Sequence, residues 1–465
     1  MGVGFCAGVV PGCMAKGIAK TMRKPNILVI ISDDAGYIDF GCFGGKQFPT
    51  PNIDRFARRA VRCTNGYVTA SVCGPSRAGL MTGRYQQRFG HEFNGPSSPT
   101  PGFTKEDMGL DTQEKTIAQH IKPLGYKTMA LGKWHLGSLE KYHPLQRGFD
   151  EFYGFLGGSR SYFPLEKKQQ NVNAAMRRGD EKIDEVAEIK YLTDDLTAAA
   201  IDFIDRNKQE PFFMYLAYNA VHAPMHGKEE IIDQFGEISP KGRRIYAAMT
   251  TSLDIGVGKV MDCLAKNKID KDTLIIFIND NGGATVNSSD NGPLRGMKGS
   301  KWEGGIRVPY MLSWKGQLPE GVTYDKPVSS LDILPTAIAA AGGKAEAKLD
   351  GVNLLPYLTG DKKGQPHEIL FWRRGVAAAV RQGKWKLIRV KSNPDLLFDL
   401  EKDLGETTNI AGKYPQKVKE LLAELTNWEK DFPLPKWTEG KYWEDNQIRK
   451  HQMDVIGRDM ERKYP

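Results

Sequence analysis

The sequence predicts an α/β protein whose large, mostly parallel sheet lies between two layers of helices and is followed by a smaller antiparallel sheet plus helix. Two observations indicate the large sheet: apolar runs rich in β-branched residues recur along the chain, and helical segments separate them. A third observation indicates the small sheet, because the pattern changes after about Gly364 to short alternating runs joined by glycine-containing turns.

The predicted elements of the large sheet follow one another in chain order. Continuous apolar runs predict buried strands at Asn26–Ser32, Lys127–Leu131, Pro211–Ala217 and Leu274–Asn279. Helices are expected at Asn52–Ala60, Glu114–Lys122, Asp194–Asn207 and Arg243–Lys266. Pro75 is suited to the first turn of a further helix that runs toward Thr82.

Two other regions receive a more general interpretation. Residues Gly154 to Lys190 have weak periodicity and many charges, so we expect an elaborated surface segment that carries substrate contacts. After Gly364, strands are predicted at Glu368–Arg373, Val376–Val380 and Trp385–Val390, and a helix near Pro415–Trp428. The tail from Lys436 to Pro465 is polar and aromatic without a clear period, and no element is assigned to it.

The length of 465 residues suits one large domain with a smaller companion. We place them at residues 25–364 and 365–465, and we interpret residues 1–24 as an N-terminal extension that is a candidate for disorder. A weakly apolar stretch in this extension precedes its basic residues, the reverse of a secretory signal. No run approaches the roughly 20 apolar residues of a membrane span.

Charge and cysteine content exclude several classes of protein. The formal charge of +9 is modest, and lysines and arginines are scattered among acids instead of forming a nucleic-acid-binding arm. An anionic small or polymeric substrate fits this charge. The six cysteines, at 6, 13, 42, 63, 73 and 263, form no CxxC pair, so the sequence supports neither a zinc knuckle nor a dense disulfide framework. One or two bridges remain compatible with it.

Polar residues follow four of the predicted strands at the same relative place. They are Asp33-Asp34, Lys133 with His135, His222, and Asp280-Asn281. Because the carboxyl ends of parallel strands line one crevice of an α/β sheet, these side chains are expected to converge on one site.

The side chains of Asp33, Asp34, Asp280 and Asn281 offer only oxygen ligands. Such ligands suit Ca²⁺ or Mg²⁺, whereas zinc and copper favour nitrogen and sulfur. The two histidines nearby also allow a zinc site, but the three carboxylates and the amide favour the oxygen-bound metal. On that interpretation the histidines are available for proton transfer.

One motif gives the chain a specific resemblance. Cys73-Gly74-Pro75-Ser76-Arg77, followed by Leu80-Met81-Thr82-Gly83-Arg84, matches the type I sulfatase signature C-x-P-S-R-x-x-L-x-T-G-R at every fixed position. Further blocks occur in the family's order: Ser32-Asp33-Asp34, Gly132-Lys133-Trp134-His135-Leu136-Gly137, His222-Ala223-Pro224, Asp280-Asn281-Gly282, and Lys298-Gly299-Ser300 leading to Trp302-Glu303-Gly304-Gly305. From about Pro25 to Asn409 the chain resembles the formylglycine-dependent sulfatases. The resemblance implies the alkaline-phosphatase-like fold.

The resemblance also implies a modified nucleophile. A formylglycine-generating or anaerobic maturation enzyme would oxidise Cys73 to formylglycine, and the hydrated aldehyde would attack sulfur. The second hydroxyl of that diol lets the aldehyde re-form and expel sulfate by C–O cleavage, so turnover needs no water attack on the intermediate. The expected partners are this maturation enzyme and a sulfated carbohydrate, and not a nucleic acid. Family members are often periplasmic or secreted.

Roles for individual residues follow from the same resemblance. Ca²⁺, in preference to Mg²⁺, would be bound by Asp33, Asp34, the modified Cys73, Asp280 and Asn281. Arg77 would hydrogen-bond the diol, and Lys133 and Lys298 would surround the sulfate. His222 would protonate the leaving alkoxide, and His135 would take the proton from the remaining hydroxyl. Lys301 competes with Lys298, but the spacing to the Trp302-Glu303-Gly304-Gly305 block favours Lys298.

The substrate prediction is a carbohydrate O-sulfate, with aryl sulfates as an alternative. Candidate substrate contacts are His91, Arg295, Arg373 and Arg374, together with basic and aromatic residues around Ser159 to Lys168. Phosphonate monoester and phosphodiester hydrolases of the same superfamily can share the cysteine motif. A catalytically silent glycan-binding protein is disfavoured because no expected catalytic position is replaced. The sugar, the sulfate position, endo or exo action and the oligomeric state stay open.

Overall fold

The computed structural model describes residues 23–95 and 98–455. Residues 1–22 of the predicted N-terminal extension, including Cys6 and Cys13, lie outside the described residues, as does the end of the tail after residue 455. Within the described part of the chain, Cys42, Cys63, Cys73 and Cys263 are all free thiols.

A ten-stranded sheet forms the centre of the molecule. Its middle strands are parallel and stand side by side in the order Thr273–Asn279, Asn26–Ser32, Phe212–Ala217, Lys127–Lys133, Glu151–Phe155. Tyr310–Ser313, Val61–Cys63 and Val322–Tyr324 extend one edge, and the short strands Arg177–Arg178 and Glu181–Lys182 extend the other. The predicted large, mostly parallel sheet is confirmed.

The first strand shows why these runs become parallel strands. All of Asn26–Ser32 is buried, and its side chains alternate between two cores: Ile27, Val29 and Ile31 pack on one face, and Leu28 and Ile30 on the other. A strand with an apolar side chain on both faces needs cover from two sides, which accounts for the unbroken apolar run.

Helices supply that cover on both faces. On one face lie Pro51–Ala57, Leu192–Asn207 and Lys241–Lys266; on the other lie Cys73–Thr82, Ile117–Ile121 and Ile333–Ala340. Four-residue helices occur at Glu185–Glu188, Glu229–Ile232, Glu303–Ile306 and Leu355–Leu358. Among the described residues, no helix combines the length and the apolar character that crossing a membrane requires.

The predicted helix boundaries differ from the observed ones by a few residues. The helix expected from Glu114 begins at Ile117, because the Thr116 side chain accepts a hydrogen bond from the Gln119 amide and the Gln119 side chain accepts one from the Thr116 amide. This reciprocal capping satisfies donors that the first turn leaves free, so it sets the start of the helix.

The segment from Gly154 to Lys190 lies mostly at the surface, as predicted, but some of its residues are buried. Tyr162 and Met176 are fully buried in the core, and Arg160 and Glu185 form an ion pair of 2.6 Å with no exposed side-chain surface. These two charges neutralise one another inside the protein, a pairing that local sequence does not reveal.

After the large sheet comes a four-stranded antiparallel sheet, in the order Ile369–Arg374, Ala377–Gln382, Trp385–Val390, Leu396–Asp399. Helix Pro415–Glu429 packs Leu421 and Leu425 against one face. The other face packs on Tyr67 and Trp302 of the preceding chain. The small sheet with its helix is thus confirmed, and a fourth strand is added to the three predicted.

The part of the tail that the structure describes is ordered into a strand and a helix. Trp437–Thr438 pairs with Ser98–Pro99, and helix Lys441–Lys450 follows. We call residues 435–455 the C-terminal segment. It crosses back from the small sheet to the carboxyl ends of the parallel strands, where it contacts the loop that carries Lys298.

Candidate active site at the carboxyl ends of the parallel strands

The structure brings together the polar residues that follow the parallel strands. Asp33 and Asp34 follow the first strand, Lys133 ends Lys127–Lys133, and Asp280 follows Thr273–Asn279. Cys73 is the first residue of helix Cys73–Thr82 and faces them. Parallel strands end at the same edge of a sheet, so residues far apart in the chain meet there.

Cys73 lies at the centre of this cluster and is 1% exposed. Its Sγ is 3.6 Å from Asp33 Oδ1 and 3.0 Å from Lys298 Nζ. Burial by itself would raise the pKa of the thiol, but the ammonium groups of Lys133 and Lys298 outweigh it and lower the pKa to about 7. The surroundings of residue 73 therefore stabilise negative charge on its side chain.

Three carboxylates crowd this buried edge. Asp33, Asp34 and Asp280 expose at most 1% of their surface. Burial raises the pKa of Asp33, and burial together with the Asp33 charge raises the pKa of Asp280. For Asp34, the charge of Lys298 outweighs burial and lowers the pKa. Packing like charges in a dry site costs free energy that a bound cation would offset.

Several of the clustered side chains could hold a metal ion. Asp33, Asp34, Cys73 and His222 offer ligand atoms that all lie within 4.8 Å of one another. Asn281 Nδ2 donates to Asp34 Oδ1 at 2.7 Å, whereas the buried Asn281 Oδ1 has no hydrogen-bond partner among the described residues. A buried acceptor left without a donor beside carboxylates is what an oxygen-coordinated cation requires.

Arg77 and Lys133 neutralise part of this negative charge. Lys133 Nζ donates to Asp33 Oδ2 at 2.5 Å, and Arg77 Nε donates to Asp280 Oδ2 at 2.9 Å. Arg77 also donates to the backbone carbonyl of Lys133 at 3.0 Å, so its guanidinium joins two strand ends. A hydrogen bond from Arg77 to the modified side chain of residue 73 stays a prediction.

The two lysines that compete for one role have different surroundings. Lys298 Nζ contacts Cys73 Sγ and lies 2.8 Å from Asp34 Oδ2. Lys301 Nζ instead donates to Ser71 Oγ at 3.3 Å, and burial with the nearby Arg374 charge lowers its pKa to about 7. The geometry therefore favours Lys298 as the group that meets substrate.

The protein shifts the pKa values of the two histidines in opposite directions. His222 Nε2 lies 3.5 Å from Asp34 Oδ2, and although burial lowers its pKa, the Asp34 charge raises it further and the net pKa is raised. Burial and the Lys133 charge hold the pKa of His135 well below its ordinary value. A protonated imidazole and a neutral one on the same site suit an acid and a base.

The structure separates the four candidate substrate contacts into two pairs. Arg374 lines a cavity with Lys298, and His91 lines a second cavity with His135. Arg373 instead forms an ion pair with Glu92, and Arg295 donates to backbone carbonyls of the C-terminal segment. Arg374 is also ion-paired, with Glu439. His91 and Arg374 differ from the other two in lining these cavities, and on that ground they stay the candidates for substrate contact.

Several residues at this site were missed by sequence reasoning. Asn94 Oδ1 accepts a hydrogen bond of 2.9 Å from the Gly74 amide and lines the cavity beside Lys298. Trp437, Trp443 and Lys450 of the C-terminal segment also line cavities there. The one signal in the sequence was the aromatic and basic composition of the tail, which carries no information about where it packs.

Comparison with models of protein families shows which family the chain matches. The Sulfatase model matches residues 25–343 of the chain. A second model, described as the C-terminal region of N-sulphoglucosamine sulphohydrolase, matches residues 298–431. The two matches together include every predicted catalytic position.

Relatives of known name agree with the family models. The chain is 34% identical over 409 residues to the uncharacterised sulfatase YdeN of Escherichia coli K12, covering 76% of this chain and 69% of that protein. It is 32% identical over 462 residues to human arylsulfatase A, covering 89% of this chain and 88% of the relative.

Among solved structures, Ps i-CgsB superimposes with a TM-score of 0.83 at 37% identity, covering 90% of this chain and 96% of the other. A phosphonate monoester hydrolase, SpPMH from Silicibacter pomeroyi, matches with a TM-score of 0.63 at 18% identity, covering 88% of this chain and 96% of the other, and so shares the fold. The chain belongs to the sulfatase family of sulfuric ester hydrolases, within the alkaline-phosphatase-like superfamily.

Proposed function

We propose that this protein removes O-sulfate groups from a sulfated carbohydrate. The reaction would use a bound calcium ion together with formylglycine, which a maturation enzyme makes from Cys73. The observation that carries the proposal is the position of Cys73, which is buried between carboxylates and two lysine ammonium groups. Support for a carbohydrate comes from Ps i-CgsB, which has been solved in complex with a neocarrahexaose.

The residues that would hold the calcium ion are Asp33, Asp34, Asp280 and Asn281. When present, calcium supplies positive charge for a sulfate oxygen, and formylglycine supplies a hydroxyl nucleophile that can later release sulfate. Oxygen ligands of mixed carboxylate and amide type suit calcium, which accepts flexible coordination.

Lys298 and Lys133 bind and orient the sulfate group. Lys298 Nζ stands 3.0 Å from Cys73 Sγ, so its ammonium group is within reach of an anion held at residue 73. Lys133 pairs with Asp33 at 2.5 Å, and neither side chain has exposed surface. Fixed positive charges in a dry site stabilise the charge that moves onto the sulfate and ester oxygens as the S–O bond breaks.

The histidines move the protons. His222, whose pKa is raised, gives its proton to the ester oxygen of the departing alcohol. His135, kept neutral by burial and by Lys133, takes a proton from the side chain of residue 73 when sulfate is released. This division makes leaving-group protonation and sulfate release two separate proton transfers.

Peptide mass spectrometry combined with kinetics tests the proposal. Protein from a host that contains the maturation enzyme is expected to carry formylglycine at residue 73 and to release sulfate from an aryl sulfate and from sulfated saccharides. Cys73→Ala is expected to abolish release. Full activity of protein whose Cys73 is entirely a thiol would contradict the formylglycine mechanism.

Matched sulfate and phosphate esters decide the type of ester. We expect a higher kcat/KM for the sulfate monoester than for a phosphonate monoester or a phosphodiester with the same leaving group. The opposite order would assign the chain to the phosphonate and phosphodiester hydrolases that share this fold.

A further inference from the structure

Two cavities border the residues that surround Cys73. The smaller, of about 340 Å³, is lined by His222, Lys298, Arg374 and Trp443, among others. The larger, of about 510 Å³, is lined by His91, His135, Gly158 and Trp437, among others. Gly95 lines both of them, so the cavities adjoin one another.

The position of Cys73 relative to the cavities follows from its neighbours. Lys298, which lines the smaller cavity, contacts Cys73 Sγ. A Cβ added to Gly74, the next residue, would lie 3.6 Å from His135 O and 3.7 Å from His91 Nε2, and both histidines line the larger cavity. One cavity thus borders the catalytic cluster at Lys298 and the other borders it at His135.

A third cavity continues from the smaller one. It measures about 350 Å³, and Arg374, Glu439 and Trp443 line both. The C-terminal segment supplies a wall of all three cavities: Trp437 in the largest, Trp443 in the smaller two, and Lys450 beside Lys298. One continuous piece of chain thus borders the whole length of the open space.

The two tryptophans in this wall differ in what they offer a ligand. Trp437 is 2% exposed and donates its indole N–H to the Phe93 carbonyl, so it is part of the packing. Trp443 is 44% exposed and lines the two smaller cavities. An exposed aromatic ring on a cavity that Lys298 also lines suits the apolar face of a sugar ring that carries sulfate.

We propose that these cavities form one groove for a sulfated polysaccharide, from which the enzyme removes sulfate at internal units, with Trp443 stacking on a neighbouring sugar. The inference rests on the sulfatase activity proposed above. An enzyme restricted to chain ends needs a pocket closed on one side of the reacting unit, whereas here one cavity lies beside Lys298 and another beside His135.

Counting the sulfate groups released per polysaccharide chain tests whether the enzyme acts on internal units. Size-fractionated carrageenan, fucoidan and chondroitin sulfate serve as polymers, and an aryl sulfate serves as the substrate without neighbouring sugars. For at least one polymer we expect release of many sulfates per chain, with the chain length unchanged in size-exclusion chromatography.

The other outcomes overturn one proposal or the other. Release limited to the number of chain ends, or no release from any polymer by enzyme that hydrolyses the aryl sulfate, contradicts the groove and leaves the sulfatase proposal intact. No release from any sulfate ester by protein that carries formylglycine removes the sulfatase proposal itself.

Trp443→Ala tests the stacking contact. We expect kcat/KM for the responsive polymer to fall about 10-fold more than kcat/KM for the aryl sulfate, a difference equivalent to about 1.4 kcal/mol. Leu434→Ala is the control, because Leu434 is an exposed apolar residue close in sequence that lines none of the three cavities. Equal losses for both substrates, or no loss with the polymer, would contradict the role of Trp443.

Discussion

Lys298 and Lys301 lie three residues apart, yet their ammonium groups have different charged neighbours. Lys298 Nζ contacts Cys73 and Asp34, which pair with its charge. Lys301 is buried beside Ser71 and near the like charge of Arg374, without a carboxylate within hydrogen-bonding distance in its described contacts. The first lysine is suited to hold an anion, and the second is suited to lose its proton.

Replacing Lys298 is expected to remove most activity. Lys298→Met should lower kcat for an aryl sulfate by about 100-fold, the typical cost of losing one preorganised charge that stabilises a transition state. Lys301→Met should retain most of the activity, because Lys301 does not contact Cys73. Steady-state kinetics on protein with equal formylglycine content measures both, and equal losses would refute the assignment of Lys298.

The buried Lys301 should also make the free energy of unfolding depend on pH. Its pKa is about 7 in the folded protein, mainly because of burial, and about 10.4 in an unfolded chain. The unfolded state therefore binds more protons between these values, so the lysine costs stability below pH 7 and progressively less as pH rises toward 10.

Lys301→Met should accordingly be more stable than the parent protein at pH 6, by a margin that shrinks at pH 9.5. Urea unfolding at the two pH values measures the difference in free energy. Lys419→Met, at an exposed position, is the control for removing a lysine. A margin that grows with pH would show that Lys301 stays charged in the folded state.

At the scale of elements, the C-terminal segment supports the loop that carries Lys298. His451 Nε2 accepts a 2.7 Å hydrogen bond from the Lys301 amide, and the Trp302 indole N–H donates to the Lys450 carbonyl at 2.8 Å. Burial lowers the pKa of His451 to about 3, so its imidazole stays neutral and can accept. We infer that His451 is a positioning residue for the Lys298 loop.

His451→Ala leaves the buried Lys301 amide without its acceptor. We expect a loss of about 1–3 kcal/mol in the free energy of unfolding, and a fall in kcat of about 10-fold as Lys298 loses its support. His451→Gln, which supplies both an acceptor and a donor, should recover part of kcat.

Gln452→Ala is the control for these variants, because the Gln452 side chain is exposed. Thermal unfolding and aryl sulfate kinetics measure the two effects separately. A His451→Ala protein with unchanged kcat would limit His451 to a structural role.

At the scale of the whole molecule, a buried charge network joins the two sheets. Glu303, in the helix that follows Trp302, accepts hydrogen bonds from Tyr67 Oη at 2.6 Å and from Lys386 Nζ at 2.9 Å. Lys386 belongs to the small sheet, and both Glu303 and Lys386 have no exposed side-chain surface. Removing one partner of a buried ion pair is strongly destabilising. The small sheet and the active-site loops, which this network joins, are therefore expected to unfold together.

Calcium binding should stabilise the molecule as a whole, because the ion offsets the charge of the buried carboxylates. At a free calcium concentration 100 times the Kd, the gain is about 2.7 kcal/mol, and Tm should rise accordingly. Mg²⁺ should give a smaller shift. Differential scanning fluorimetry after chelation and re-addition measures the shift.

Asn281→Ala removes one of the oxygen ligands and should reduce the calcium-induced rise in Tm, whereas Asp180→Asn, at an exposed carboxylate, should not. An equal rise in both variants would place the calcium elsewhere in the protein.

The sequence by itself determined the fold class, the order of the main strands and helices, and the residues that follow the parallel strands. Each of these features depends on residues that are close together in the sequence. A strand covered on both faces must be apolar at each position, and the Cys73 motif consists of neighbouring residues. Buried ion pairs such as Arg160 with Glu185 were not foreseen, because the two partners are 25 residues apart in the chain.

Only the tertiary structure decided which lysine contacts Cys73, which candidate substrate contacts line the cavities, and that the unassigned tail borders the active site. Each of these depends on contacts across long separations, such as the 150 residues between Lys301 and His451. A short polar and aromatic segment has no periodicity of its own to reveal its partner. Its position is set by the surface on which it packs, and that surface exists only once the two sheets have come together.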